Sequence, residues 1–399
     1  MAIASGVAKQ VAFKKETSWG VAAGAIGAQY LRRITSDLSL AKETYQSNEI
    51  RTDYQVADFR HGVRSVEGTI AGELSPLTYD AFIAAALRKD FAAGATTGAI
   101  ITLSVTNTGT KFTRSSGSFV TDGFKVGDVV SATGFTEANN NSHYCLVTVV
   151  AALTMDIVPL DGVVLTDEAA GDTVTIACVG KKTYTPETGH TDDSFTIEHY
   201  YSDVTQSEVF TGCKVNTLAV SLPPTGMATI NIGLMGKDIT TGTSAYFTTP
   251  TAATTSGVLA SVNGIAYAVG SRNYVLTGLN INYAGNLTMD AVVGSNTYPD
   301  IFEGRVVVSG DLTAYFENAT LRDAFLNETE VALMFVFTTG NTKNADFMSF
   351  VLPRVKFGGA SKDDGEKGLV QTIPFQALFN SSGTGANKTT LIVQDSLAA

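Results

Sequence analysis

Short runs in which apolar and polar residues alternate make up most of the chain. In residues 66–74, VEGTIAGEL, the even positions are apolar or glycine and the odd positions are polar or small. Residues 305–312, RVVVSGDL, repeat this pattern. A period of two is typical of strands in an antiparallel sheet with one covered face. The pattern therefore predicts a mostly β protein.

A short segment with helical periodicity follows each of these runs. In the first, Ser75 suits the N-cap position and Pro76 the first helical position. The counterpart begins near Asn318. One helix against a sheet predicts a β-sandwich or α+β domain in each case. The residues predicted to face inward are Tyr79, Phe82, Ile83, Ala86 and Leu87 in the first helix and Leu321, Ala324 and Phe325 in the second.

The order of these elements occurs twice along the chain. Gly-Glu-Leu at 72–74 precedes Asp-Ala-Phe at 80–82, and Gly-Asp-Leu at 310–312 precedes Asp-Ala-Phe at 323–325. The offset between the copies is about 240 residues before residue 90 and about 140 after residue 195, which indicates an insert in the first copy. We predict a first domain of residues 1–91 and 187–240, an inserted domain of 92–186, a linker of 241–269 and a second domain of 270–399.

The insert itself has β character. Runs at 100–105, 119–120, 126–132, 145–150 and 154–159 alternate or are apolar, with Gly, Asn and Asp between them. These runs predict a small, independent β-barrel or sandwich. The stretch that opens the linker, residues 240–257, is a low-complexity Thr/Ser/Ala segment.

Composition and charge narrow the possible functions. Of the 399 residues 44% are hydrophobic and only 16% charged, and the net charge is −11. This charge argues against a protein that binds nucleic acid by neutralising phosphates. We expect no signal peptide and no membrane insertion. Three cysteines, Cys145, Cys178 and Cys213, predict free thiols in a reducing compartment, with a Cys145–Cys178 bridge as the alternative.

The chain lacks the motifs of common catalytic chemistry. His61, His143, His190 and His199 show no metal-ligand spacing, and there is no nucleophile elbow, P-loop or GxGxxG. Residues 362–366, KDDGE, lack the register of an EF-hand and predict a hairpin tip. We therefore expect no catalytic residues, no metal and no cofactor, and a protein that is not an enzyme.

The N-terminal stretch carries a family resemblance. KKETSWG at 14–20, SNEIR at 47–51 and EGTIAGELSP at 67–76 resemble the major tail tube proteins of long-tailed, siphovirus-type bacteriophages. The resemblance implies tail-tube β-sandwich domains, each with a flanking helix, that form rings stacked into a hollow tube. It further implies location in the virion tail, assembly in the host cytoplasm, and passage of viral DNA without specific binding. Its implied partners are other copies of the chain, a tape measure protein and tail tip or terminator proteins.

The duplication changes the expected ring. Members of the family usually supply six domains from six chains, whereas this chain holds two copies. We therefore expect three chains per ring with pseudo-sixfold symmetry. The insert would lie on the outer surface, where it thickens the wall or binds host glycans; the sequence leaves both roles open.

A long polar segment, residues 43–64, joins two predicted strands. It is too long for a passive connection in a compact domain and carries too many apolar groups for a free loop. By the resemblance, it packs on the adjacent ring. The candidate stacking residues are Tyr45, Ile50, Arg51, Tyr54, Val56, Phe59 and Arg64.

The polar face of the repeated strand is a candidate lining of the lumen. An acidic or neutral lining repels phosphates and lets DNA pass. The same face could instead lie against the helix, which would bury Glu67 and Glu73 at a cost. The candidate lining residues are Glu67, Thr69, Glu73, Ser309 and Asp311.

Two other classes of function remain. A head decoration or tail terminator subunit would also be a β-rich virion protein, but it needs no stacking segment. A surface glycan-binding protein would fit the Thr/Gly-rich β composition, but it would be expected to carry a cluster of aromatic residues and a secretion signal.

Overall fold

The computed structural model describes residues 3–106, 108–268, 271–272 and 275–398. Strands account for 45% of the residues and helices for 7%, so the expectation of a mostly β protein is confirmed. The expected boundary between linker and second domain, at residues 269 and 270, lies outside the described residues. The elements before the insert are β1 (Lys9–Lys15), β2 (Ile26–Tyr30), β3 (Thr35–Ser36), β4 (Ser39–Gln46), β5 (Phe59–Glu73), α1 (Asp80–Leu87) and β6 (Ala92–Ala93).

The next segment alternates short strands with one helical turn. Its elements are β7 (Leu103–Thr106), β8 (Lys111–Arg114), α2 (Phe119–Asp122), β9 (Val129–Thr133), β10 (Cys145–Val150), β11 (Thr154–Pro159), β12 (Thr175–Cys178) and β13 (Lys181–Tyr184). The prediction of a strand at 119–120 was wrong. Ser118 caps the backbone N–H of Thr121 and so starts the short helix α2, which buries Phe119.

The elements after residue 187, which cover the rest of the first predicted copy and the second one, complete the chain. The elements are β14 (Phe195–Tyr201), β15 (Gln206–Leu222), β16 (Thr229–Gly236), β17 (Asp238–Gly242), β18 (Thr249–Thr251), β19 (Gly264–Ala268), β20 (Ser271–Arg272), β21 (Leu276–Ala284), β22 (Val307–Tyr315), α3 (Thr320–Leu326), β23 (Val331–Thr338), β24 (Phe347–Phe357), β25 (Ser361–Lys362), β26 (Val370–Ala377) and β27 (Ile392–Asp395).

A continuous band of strands joins the two predicted copies. Its order is β3/β4–β5–β16–β15–β21–β22–β26–β24, with antiparallel neighbours throughout. The band curls into half of a barrel. Directly opposed residues form an unbroken row across it: Ser36, Ile70, Ile232, Leu218, Tyr283, Val308, Ala377 and Val355. All eight are buried, so the row marks the core side of the band.

The six strands β7–β12 form a separate sheet with its own apolar core. It is fixed to the larger sheet by a second cluster, in which Val129 and Leu146 pack with Met334, Phe347 and Val351. The side chain of Gln394 adds hydrogen bonds to the backbone N–H and C=O of Val129. These contacts hold the two sheets together.

Helix α1 starts later than the sequence suggested. Ser75 and Pro76 lie in a turn, and the first helical residue is Asp80. Leu77 has a φ of +67°, a left-handed conformation that an α-helix cannot contain. The helix therefore begins only after this turn. It buries Phe82, Ile83, Ala84, Ala86 and Leu87.

Candidate functional site: assembly surfaces

One face of the eight-stranded band is polar, and it carries the candidate lining residues. Glu73 and Asp311 lie in one row of opposed residues, whose members are Glu73, Thr229, Ser221, Asn280, Asp311 and Pro374. Thr69 and Glu67 lie further along β5 on the same face. Glu67 is exposed, while Thr69 and Glu73 are half-buried.

A second row on this face crosses the whole band. It runs through Thr35, Ala71, Asn231, Ala219, Asn282, Ser309, Gln376 and Lys356. No large apolar side chain stands in this row. The main core and both flanking helices, α1 and α3, lie against the other face, which carries Ile70 and Val308. The structure thus brings all five candidate lining residues onto one polar surface that spans both copies.

The expected stacking loop is a two-stranded arm. Strands β4 and β5 pair from Ser39–Glu67 out to Gln46–Phe59, which leaves only residues 47–58 outside the strands. The arm projects its apolar groups into solvent: Ile50 and Tyr54 are almost fully exposed, and Tyr45, Val56 and Phe59 are more than half exposed. Such a set of exposed apolar side chains is typical of an interaction surface.

Ion pairs order the tip of the arm. Arg51 contacts Asp53 at 2.8 Å, and Arg60 contacts Asp58 at 2.7 Å. The hydrogen bond from Arg51 lowers the pKa of Asp53, and that from Arg60 lowers the pKa of Asp58. Both carboxylates therefore remain charged at neutral pH. The exposed apolar side chains of the tip are thus flanked by ion pairs.

Arg64 fixes the base of the arm instead of extending from it. Its guanidinium contacts the Asp238 carboxylate at 2.6 Å, and its backbone N–H donates to the C=O of Asn296 at 3.0 Å. Arg64 also forms a parallel bridge with Thr297, in the loop between β21 and β22. The first copy's arm thus rests on the second copy's loop.

That loop is a surface that the sequence reasoning missed. Val293 is fully exposed, and Val292 and Phe302 are nearly half exposed. The adjacent valines in a polar, Gly- and Asn-containing segment were the available signal. Val292 and Val293 of this loop line one open cavity together with Tyr45 of the arm.

Two of the four histidines, His143 and His199, are buried, whereas His61 and His190 are exposed. All three cysteines are free thiols, so the alternative Cys145–Cys178 bridge is absent. The His143 ring nitrogen lies 2.6 Å from the Asp161 carboxylate, and His199 lies 2.7 Å from the Ser36 hydroxyl; both rings are buried. Burial, followed by the charges of Lys9 and Arg33, lowers the pKa of His199 to about 3. Cys145 and Cys213 are buried free thiols whose pKa values are raised by burial. Lys362 is the last residue of β25, and residues 363–366 follow it in the exposed connection to β26, as expected for a hairpin tip.

Within the described ranges, no three His, Cys, Asp or Glu side chains come together as a metal site. Over the same residues, no helix has the length and apolar character needed to cross a membrane.

The comparisons with known proteins agree with this geometry. The model of the phage tail tube protein family matches residues 6–377, from just before β1 to the end of β26. A search of the curated proteins finds no match.

Proposed function

The chain belongs to the phage tail tube protein family, and from this premise we propose that its copies close into rings of three chains with pseudo-sixfold symmetry. It is a structural protein of the virion tail. The rings stack into a hollow tube through which DNA leaves the particle. The tail is of the long, siphovirus type.

The observation that carries this proposal is the eight-stranded band. In it the order β3/β4–β5–β16–β15 is followed by β21–β22–β26–β24, which we interpret as two copies of one strand order. Among the described residues, no strand other than β5 pairs with β3 or β4. A curled sheet that repeats itself within one chain is suited to continue into the next chain and to close by rotation. Three chains supply the six repeats that the resemblance implies.

The polar face lines the lumen in this arrangement. Glu67, Glu73 and Asp311 place negative charge there, and Thr69 and Ser309 add neutral polar groups. Phosphates are repelled by the carboxylates, so DNA slides past without specific binding. The chain acts without a catalytic group or a cofactor.

The arm and the second-copy loop stack one ring on the next. Burial of the exposed groups of Ile50, Tyr54, Val56 and Val293 against a neighbouring ring favours stacking through the hydrophobic effect. The other partners are the tape measure protein and the tail tip and terminator proteins, with assembly in the host cytoplasm.

We assign the tube domains to residues 1–91 with 187–240 and to 270–399, joined by the linker 241–269. The insert, 92–186, forms the outer surface. Its compact core and its attachment to β23 and β24 suit a rigid part of the wall.

Negative-stain electron microscopy of the purified chain over a range of concentration and salt, with native mass spectrometry of the soluble fraction, tests the proposal. Rings or tubes with a mass of three chains per ring are expected. Rings of six chains would overturn the stoichiometry. A protein that stays monomeric even when added to preformed tail tips would overturn the tube function.

A further inference from the structure

Inside the chain, β15, the last strand of the first copy in the order of the band, pairs with β21, the first strand of the second copy. This internal junction is a template for the pairing between neighbouring chains. At this junction Leu218 stands opposite Tyr283. The backbone N–H of Gly285 donates to the C=O of Asn216 at 2.7 Å. The backbone N–H and C=O groups of the even-numbered residues of β15 therefore point toward β21. The pairing is antiparallel and buries Ile281 to 1% exposure.

The core row identifies the equivalent positions at the two ends of the band. Tyr283 and Ser36 each pair with the first long strand of a copy, at Val308 and Ile70. Leu218 and Val355 each pair with the following hairpin strand, at Ile232 and Ala377. Ser36 is thus the counterpart of Tyr283, and Val355 is the counterpart of Leu218.

The two ends of the band are covered to different extents. On the β3 end, the Ser36 C=O accepts a hydrogen bond from Lys9 Nζ at 2.6 Å, but no strand pairs there among the described residues. On the β24 end, Val331 of the same chain stands beside Val355. Ile34, two residues before Ser36, is 53% exposed, whereas Ile281, two residues before Tyr283, is 1% exposed. On β24, the C=O of Arg354 accepts a hydrogen bond from the backbone N–H of Leu378, and the N–H of Gly358 donates to the C=O of Pro374. The backbone groups of these even-numbered residues therefore point toward β26. The backbone groups of Val355 and Phe357 therefore point away from β26, toward the outer edge.

We propose that the outer edge of β24 in one chain pairs antiparallel with β3 of the next chain, with Val355 opposite Ser36, and that residues Glu328–Val331 hold this edge until the next chain arrives. This inference rests on the proposed ring. It adds the strand register at the interface between chains and a segment that controls when this interface forms. Lys356 then stands opposite Thr35, as Ala219 stands opposite Asn282 inside the chain.

Charge complementarity favours a second copy of this chain as the partner. The same register sets Arg354 opposite Asp37, where the internal junction has Thr217 opposite Ala284. Arg354 lies on one edge and Asp37 on the other, so a copy of the chain supplies the opposite charge. A shift of one residue would bring the core side of one strand to the polar face of the other.

The segment 328–331 occupies the place of the incoming strand. Val331 bridges Val355 on the side away from β26, the position that Tyr283 holds beside Leu218. Glu330 contacts Arg354 at 2.6 Å, and Glu328 contacts Lys356 at 3.6 Å. Ring closure must exchange these contacts for those of β3, so the segment slows premature polymerisation and guards the edge against wrong partners.

A disulfide trap in the full chain tests the register. Opposed residues of a non-hydrogen-bonded antiparallel pair have Cα atoms about 4.5 Å apart, within the range that a disulfide spans. The variant Thr35→Cys/Lys356→Cys should cross-link chains into a covalent trimer under oxidising assembly conditions. Matched controls are Lys356→Cys alone and Ser39→Cys/Lys356→Cys, since Ser39 lies on the same face of the same edge, four positions further on.

Non-reducing gels measure the cross-linking and electron micrographs show whether rings form. Together they distinguish three outcomes. Cross-linking of the Thr35 pair well above both controls supports the junction. Rings that form without this cross-link, or that cross-link through Ser39 instead, overturn the register while leaving the ring intact. Absence of rings in all variants and in the parent chain overturns the proposed function, and the junction with it.

A second pair of variants tests the guarding segment. Glu328→Gln/Glu330→Gln removes both exposed ion pairs and should lower the concentration needed for assembly by about two- to fivefold. Glu187→Gln, which removes the exposed pair with Lys388 elsewhere, is the control and should leave it unchanged. An unchanged or higher assembly concentration for the double variant would show that the segment does not guard the edge.

Discussion

Asp80 and Asp395 are two carboxyl groups buried together where helix α1 meets the last strand. Burial, and then the charge of Asp395, raises the pKa of Asp80 to about 9. Asp395 accepts hydrogen bonds from the backbone N–H groups of Leu77 and Leu397, at 2.8 and 2.7 Å. These bonds favour charge on Asp395, so Asp80 is the group that holds the proton in the folded chain.

This pair makes folding depend on pH. The folded pKa of Asp80 is about 9, whereas an unfolded aspartate has a pKa of about 4. The folded chain therefore binds a proton that the unfolded chain releases, and the free energy of unfolding should fall as the pH rises from about 4 to about 9. Asp80→Asn stays neutral and should reduce this fall, with a gain of about 1–3 kcal/mol at pH 8.

Urea unfolding at pH 4 and pH 8 measures the effect. Asp364→Asn, at an exposed position of the β25–β26 connection, is the control and should follow the parent chain at both values. Equal pH slopes for Asp80→Asn and the parent would contradict the assignment of the proton. The sequence could show Asp80 within the repeated Asp-Ala-Phe motif, but not its partner, because Asp395 lies at the other end of the chain.

At the scale of elements, the arm is the clearest functional part. Removing residues 46–60 should leave soluble protein that forms rings and no tubes, because the deletion removes the apolar tip that we propose packs on the next ring. Size-exclusion chromatography and electron microscopy measure the two states. Tubes of normal length would refute the stacking role.

A milder variant keeps the arm in place. Ile50→Ser/Tyr54→Ser/Val56→Ser should raise the concentration needed for stacking by tenfold or more, since loss of about 1.4 kcal/mol of contact free energy has that effect. Ile101→Ser/Leu153→Ser/Val164→Ser is the matched control, with three exposed apolar residues outside the arm. The control should stack as the parent chain does.

The elements also show which sequence signals were sufficient. The alternation at 66–74 predicted β5 because every second side chain enters the core, as Val66, Ile70 and Leu74 do. The start of α1 was wrong because Leu77 adopts a left-handed conformation that Ser-Pro does not reveal. The outer part of the arm was interpreted as a loop because residues 43–46 and 59–61 are exposed on both faces, so the alternation that marks a half-covered strand is missing there.

At the scale of the molecule, the repeat could be inferred from element order, but the junctions could not. Pairing of Leu218 with Tyr283, and of Val331 with Val355, joins residues that no local pattern relates. The duplicated order predicted two copies in the chain, and the family resemblance supplied the expectation of six repeats in a ring. The two edges and the segment that guards one of them became visible only in the paired sheet.

If the polar face lines the lumen, its charge should affect the rate of DNA ejection from the assembled tail. Glu67→Lys/Glu73→Lys should still allow tubes, because Glu67 is exposed and Glu73 only half-buried on the face away from the core. The added positive charges would attract phosphates along the whole lumen, and each attraction adds friction to the moving DNA. DNA ejection from phage carrying this variant should therefore be slower, and the difference should decrease as the salt concentration is raised. The rate of ejection is measured from the release of dye-stained DNA.

Glu137→Lys/Glu366→Lys gives the same change in net charge at two exposed positions outside the polar face. If net charge alone controlled ejection, both variants would slow it equally. If the polar face lines the lumen, only the Glu67/Glu73 variant slows it, because field and friction act where the DNA passes and fall off within about 10 Å in 0.1 M salt. Normal ejection by the Glu67/Glu73 variant would place this face outside the channel.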